Sequence, residues 1–460
     1  MNYPHTKLAL SYFGALLAAS VCGTQYLFSA YSTALASKLN FNSVQINTIG
    51  SATNFGCYLS GPIFGYIVDH HGPRRTAMIS SFFIFAGYFC LAMTYGEIFN
   101  SKSFLLCALY MLTVGIASSA AYNSVLGLIA RNFTKNRGIA FGFPVSLYGL
   151  SAFLFAQMNG LYFNNDTYHF LLFLAITCGL SIFIGSWFLV VIPRNKLILE
   201  EADQISDLPE SSSSTDQYND QTPLLNNKNY DDELDIGGWE LFYNYDALLL
   251  GILMFLIGGC GLMYINNVGA IIKALYSSPS NPSLQNPESN IFKEIQELQN
   301  LHVSLLSISS CLGRILVGFF SDITKFMFNL RRISFFILSG CLVAFGHFLA
   351  GFWVKSLDFL YPASMLVGLG FGMMFSIAPT ITNEWFGQKR FGINWGIISI
   401  YPAFGGQLFN FIFGHNFDAH RDKCAGYECY KDAFYISFFA CLLSLCISTF
   451  LLSWRIRRGR

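Results

Sequence analysis

Twelve runs of about 20 apolar residues, six on each side of one acidic stretch, leave this 460-residue chain few folds to choose from. A helix of that length crosses a bilayer core of about 30 Å. Inside lipid every backbone N–H and C=O must be satisfied within the protein, and long uninterrupted runs do so as helices. The first six runs lie at about 9–31, 46–68, 77–97, 104–130, 139–160 and 169–192. The second six lie at about 246–272, 301–320, 333–354, 359–383, 393–414 and 433–454. The fold class is therefore an all-α membrane protein of twelve transmembrane helices in two pseudo-symmetric halves. The halves are expected over 1–192 and 245–460, the second ending in a basic tail, with a connector over 193–244. Only 12% of the residues are charged, against roughly 25% in soluble domains. A net charge of +1 supplies no basic stripe to neutralise phosphates, which argues against nucleic acid as a partner.

Lys and Arg gather in one set of short loops, among them Arg74, Arg75, Arg131, Lys325, Arg332 and Arg390, and in the tail from Arg455 to Arg460. Cytosolic loops carry such an excess, so both termini and the connector are expected in the cytosol. The connector is rich in Asp, Glu and Ser and cannot bury enough apolar surface to fold alone. Within it, Asp220-Gln-Thr-Pro-Leu224-Leu225 is similar to an acidic dileucine sorting signal. Such a signal is an address read by a receptor, here an adaptor complex. It favours a vacuolar or lysosome-like membrane over the plasma membrane. The competing reading is a chance match in a polar linker.

One short pattern occurs in both halves. Gly65-Tyr-Ile-Val-Asp69 ends the second run, followed by Gly72, Arg74 and Arg75; Gly318-Phe-Phe-Ser-Asp322 ends the eighth, followed by Lys325, Arg331 and Arg332. An Asp at a helix end can cap a neighbouring helix N-terminus and pair with Arg. A Gly one turn earlier lets two helices approach closely, and Gly61 extends that smooth face. A duplicated bundle that hinges about its middle needs one such latch per half, so these residues are expected to govern conformation and not to touch solute. The alternative is a static surface salt bridge, worth about 0–1 kcal/mol.

With these motifs the chain outside the connector resembles the major facilitator superfamily. Gly23-Thr-Gln-Tyr26 with Phe28-Ser29, and Asn47-Thr-Ile-Gly50-Ser51, resemble its nodulin-like branch, which includes fungal homologues of monocarboxylate transporters. The resemblance implies transport of a small solute by alternating access, with a site near the midplane between the halves. In monocarboxylate transporters helix 8 carries an Asp one turn before an Arg, and helix 1 carries a Lys. Here Arg314 matches the Arg, but Ser310 stands at the acidic position and Phe28-Ser-Ala-Tyr31 contains no Lys. These departures weigh against monocarboxylate–proton symport, which is kept as an alternative beside a non-transporting metabolite sensor.

Arg314 lies about two turns inside the basic end of its run, where it could contact an anion or gate a carboxylate. Alternatively its long side chain snorkels to the interface. Neutral polar residues within spans are the other candidates: Tyr26, Asn54, Tyr122, Asn123, Asn266, Asn267, Gln407 and Asn410. Helices 1, 4, 7 and 10 line the cavity in the family resembled, which selects Tyr26, Tyr122, Asn123, Asn266 and Asn267. Each would equally serve as an interhelical hydrogen bond. His347 reads as a packed core histidine, and Gly368-Leu-Gly370-Phe-Gly372 as close helix packing, since no strand precedes it.

On the opposite face Asn165-Asp-Thr167 is a glycosylation sequon, and Cys424 with Cys429 could bridge a small loop in an oxidising lumen. The other ten Cys lie in apolar runs and read as small hydrophobes. Neither a nucleophile–base pair nor a metal-ligand spacing nor a P-loop appears, so no enzyme activity, cofactor or ATP drive is expected. The expected assembly is a monomer.

Overall fold

A computed structural model describes residues 3–41, 43–99, 102–133, 136–163, 166–192, 236–277, 291–419 and 426–458. In the first half α1 (Tyr3–Cys22) passes through a 3-10 turn (Gly23–Phe28) into α2 (Ser29–Leu39), and α3 (Ser43–His71), α4 (Pro73–Tyr95), α5 (Phe104–Asn132), α6 (Arg137–Tyr162) and α7 (Thr167–Phe188) follow. The second half holds α8 (Tyr245–Tyr276), α9 (Ile291–Phe328), α10 (Ile333–Phe348), α11 (Leu360–Phe386), α12 (Phe391–Ile398), α13 (Tyr401–Ala419) and α14 (Lys431–Arg457).

Ten of the described helices are long and apolar enough to cross a membrane, α12 and α13 acting as one. Two further crossings complete twelve. One is the interrupted α1–α2; the other is α3, whose 29 residues give ample length while Thr48, Ser51, Thr53 and Asn54 dilute its apolar run.

Several helices outrun their apolar stretches because their ends are held by polar contacts. Asn244 caps α8 by accepting from the Asp246 and Ala247 N–H groups at 2.9 and 3.3 Å. Asp166 caps α7 in the same way through Tyr168 and His169. Two segments expected as single helices are broken. The first is opened at Gly23, whose backbone lies so close to Tyr148 of α6 that a Cβ would collide with the Tyr148 carbonyl. The second is interrupted at Ser399–Ile400, just before Pro402, which lacks an N–H for the helix ladder.

Within the first half α3 packs on α5, α4 on α5 and α7, and α1 on α5, α6 and α7. Within the second, α8 packs on α13, α9 on α11, and α10 on α11 and α14. The halves meet chiefly at two crossings, α3 against α12 and α6 against α9, with α6 also touching α11. Both involve helices that carry the duplicated pattern or receive it.

Candidate functional site

Asp69 ends α3 at the start of the second-half helix α12. Its carboxylate accepts from the Gly392 N–H at 3.1 Å and the Ile393 N–H at 2.9 Å. The first N–H groups of a helix have no partner within it, so a carboxylate from the other half acts as the cap and meets the positive end of the helix dipole. Such reach requires close backbones. A Cβ on Gly392 would lie 2.5 Å from the Gly65 carbonyl oxygen, and one on Gly396 would lie 2.5 Å from that of Gly61.

Asp322 repeats the arrangement with the halves exchanged. It ends α9 and accepts from the Gly138 N–H at 3.0 Å and the Ile139 N–H at 2.8 Å, at the start of α6. A Cβ on Gly318 would lie 2.5 Å from the Gly138 carbonyl oxygen. Phe141 and Phe391, each next to a docking glycine, meet across the halves at 5.5 Å between ring centroids. Both are buried.

The two docks differ in their cations. Asp69 is paired with Arg131 at 3.2 Å, whose Nη2 also donates to the Asp69 backbone carbonyl. The partner is thus Arg131 and not Arg74 or Arg75 of the motif: Arg74 lies 5.0 Å from the ring centroid of Trp187, and Arg75 is exposed. Gly72 supplies the turn between α3 and α4 with φ 85, a left-handed conformation that favours glycine. At the second dock, Arg332 binds Asp322 at 2.5 Å and Glu384 of α11 at 2.9 Å, and Lys325 joins Glu384 at 2.7 Å.

The N–H donors of the docks are absent from the sequence-based candidates, although a signal exists. Gly138-Ile139-Ala-Phe-Gly142 and Gly392-Ile393-Asn-Trp-Gly396 are a second duplicated pattern, Gly-Ile-x-x-Gly, one copy per half. Its glycines and N–H groups receive the Gly-x-x-x-Asp pattern of the other half.

Arg314 is buried at the α6/α9 crossing, 6% exposed. Its Nη1 donates to the Val145 carbonyl at 2.9 Å, and the guanidinium fills the notch left by Gly149, where a Cβ would overlap it. Gly149 is twelve residues into α6, about 18 Å at 1.5 Å per residue, comparable to half of a roughly 30 Å core. The side chain therefore reaches away from the basic end, toward mid-depth, instead of snorkelling back. A cation there costs about 2.5–3.5 kcal/mol on insertion scales, which the Val145 carbonyl partly offsets.

Among the described residues, each neutral candidate makes contacts of its own. Tyr122 packs on Tyr148 with ring centroids 4.3 Å apart, placing two phenols in the interior of the first half. Asn123 turns back on its own helix, donating to the Ser119 carbonyl at 2.9 Å. Asn267 donates to Asn410 at 2.9 Å, joining α8 to α13, while Asn266 is exposed. Tyr26 belongs to the Gly23–Phe28 turn, and its side chain lies outside the described part.

His347 bonds the Ser437 hydroxyl at 2.6 Å. A second fully buried histidine, His302, was not singled out. Ser364 lies 2.8 Å from both His302 Nδ1 and the Tyr264 hydroxyl, and His302 stacks on Tyr361.

Cys429 is buried and disulfide-bonded; its expected partner Cys424 lies outside the described residues. So do Asn165 and the segment holding Asp220, Leu224 and Leu225.

A two-half helical bundle with carboxylate docks exchanged between the halves defines a polytopic membrane transporter. The chain belongs to the Major Facilitator Superfamily, whose model matches residues 8–410. It is similar to "Probable transporter mch1" of Neurospora crassa, 25% identical over 93% of this chain and 86% of that one. It is also similar to "Probable transporter MCH1" of Wickerhamomyces anomalus, 29% identical over 88% and 78%. Among solved structures it resembles the proton:xylose symporter XylE, with a TM-score of 0.66, 13% identity and 96% and 95% of the two chains covered. The human organic anion transporter MFSD10 gives a TM-score of 0.62 at 14% identity, covering 97% and 100%. At these identities the structures share the fold.

Proposed function

We propose that this protein is a secondary transporter that moves a small organic anion, or a comparably small metabolite, by alternating access. The observation that carries this reading is the exchanged pair of docks, Asp69 on Gly392 and Ile393, and Asp322 on Gly138 and Ile139. Each dock joins the two halves through hydrogen bonds that water can replace when they part, so the halves can rock while each keeps its own core. Both docks lie at the basic end, which supports a state closed there. The Lys and Arg distribution supports a cytosolic position for that end and for both termini. Arg314 at mid-depth supports a solute with negative charge, since a guanidinium binds a carboxylate through paired, charge-assisted hydrogen bonds. The dileucine sequence supports residence in the vacuolar membrane.

The test is uptake into proteoliposomes containing the purified full-length protein. A panel of labelled mono- and dicarboxylates, with neutral metabolites for comparison, is supplied with and without an imposed pH gradient. Saturable uptake of an anion supports the reading, and its dependence on the gradient decides whether protons are coupled. Saturable binding without flux would mean a metabolite sensor instead.

A further inference from the structure

We propose that the cleft between α4 and α7 binds an anionic glycerophospholipid, with its headgroup on Arg74 and Arg75 and one acyl chain along the cleft. The cleft measures about 380 Å³ and is walled by Met78, Phe82 and Phe85 of α4 and by Gly179, Leu180 and Phe183 of α7. Phe82, Leu180 and Phe183 are exposed although strongly apolar, so this face looks onto the hydrocarbon of the bilayer.

The residues form one continuous stripe on each helix. Arg75, Met78, Phe82 and Phe85 follow the three-and-four spacing of a single helix face, as do Leu180, Phe183 and Trp187 on the antiparallel neighbour. The two arginines thus stand beyond one end of the cleft. Arg74 is held over the ring of Trp187 at 5.0 Å, and Trp is a residue type enriched at the headgroup level. Neither arginine is paired with a carboxylate among the described residues; Asp69, the nearest acid in sequence, is taken by Arg131. From Arg75 to Phe85 is ten residues, about 15 Å along a helix, the depth of one leaflet of a roughly 30 Å core. An apolar cleft with two guanidinium groups about one helical turn beyond its end, the two together spanning one leaflet and neither arginine paired with a carboxylate among the described residues, matches a chain-bearing anion. A free phosphate has no use for the channel, and a zwitterionic lipid has no net charge for the arginines. Basic pockets between transmembrane helices bind anionic headgroups in this way.

The experiment uses the full-length protein in nanodiscs with a phosphatidylserine carrying a photoreactive acyl chain, and the matching phosphatidylcholine. The phosphatidylserine probe is expected to label peptides spanning 78–85 and 176–183 at least threefold more than the phosphatidylcholine probe. Arg74→Gln with Arg75→Gln should abolish the preference, and Leu180→Trp should reduce labelling by both probes. Arg457→Gln with Arg458→Gln, a basic pair elsewhere, should change neither. Equal labelling of the wild type by both probes overturns the proposal even if a variant does not fold. Preference retained without Arg74 and Arg75, or lost equally in the control pair, overturns it as well. Displacement by soluble glycerophosphoserine would show a bare anion site and overturn the lipid assignment.

Discussion

Gly61 and Arg314 stand at the same register of the duplicated pattern, each four residues before a docking glycine, and do opposite things. Gly61 keeps α3 smooth where it meets Gly396. Arg314 instead sends a guanidinium across the α6/α9 crossing to the Val145 carbonyl. The two crossings therefore match at the docks and part company one helical turn deeper. At that depth the α3/α12 crossing is a bare backbone contact, and the α6/α9 crossing carries a cation.

Removing a dock should open the basic end. Asp69→Asn retains one acceptor oxygen but loses the charge; losing a cap of this kind costs about 0.5–2 kcal/mol. Asp322→Asn should cost more, about 3 kcal/mol, because it leaves Arg332 buried and only partly compensated by Glu384. A cysteine substituted for Phe141 reports the change. Its alkylation by an impermeant maleimide should be slow in the parent and at least fivefold faster in either variant. Unchanged alkylation would falsify the latch.

Gly65→Ala should separate α3 from α12, since the new Cβ would collide with the Gly392 backbone. Gly160→Ala, in open space within α6, should be neutral or stabilising by about 0.5–1 kcal/mol, as Ala exceeds Gly in helix propensity. Thermal melting of both variants checks the contrast, and equal melting temperatures would count against close packing at Gly65.

Arg314→Gln should lower uptake of anionic solutes at least tenfold, equivalent to about 1.4 kcal/mol. Arg314→Lys should rescue little, because an ammonium lacks the planar fork of a guanidinium. Gly149→Ala, which crowds the guanidinium out of its notch, should raise KM in the same direction. Wild-type KM in Arg314→Gln would assign Arg314 to packing alone.

Ser364→Ala should destabilise the second half by about 1–3 kcal/mol, because Tyr264 and His302 lose the same partner at once. Adding Tyr264→Phe should then cost less than it does alone, a coupling that a double-mutant cycle of melting free energies measures. Strict additivity would show that the shared hydroxyl does not link them.

If the dileucine directs the protein to the vacuolar membrane as proposed, Leu224→Ala with Leu225→Ala should shift it to the cell surface without changing its abundance, as followed by fluorescence of a tagged chain. Unaltered delivery would remove the dileucine from the account.

The sequence by itself determined the helical class, the number of crossings and the two-half plan, because apolar length is a local property that the bilayer thickness reads directly. It also exposed Asp69 and Asp322, since duplication is visible along a string. Tertiary structure alone decided what those carboxylates bind. Gly138 and Gly392 lie 184 and 323 residues from their acids, and only helix crossings bring the free N–H groups within about 3 Å. The same distance effect gave Asp69 the guanidinium of Arg131 and left Arg74 and Arg75 beyond the end of a lipid-facing cleft. It also turned Arg314 inward to Val145, and gathered Tyr264 and His302 on Ser364. Which side chain answers a buried charge or hydroxyl depends on where helices cross, and sequence spacing does not encode that.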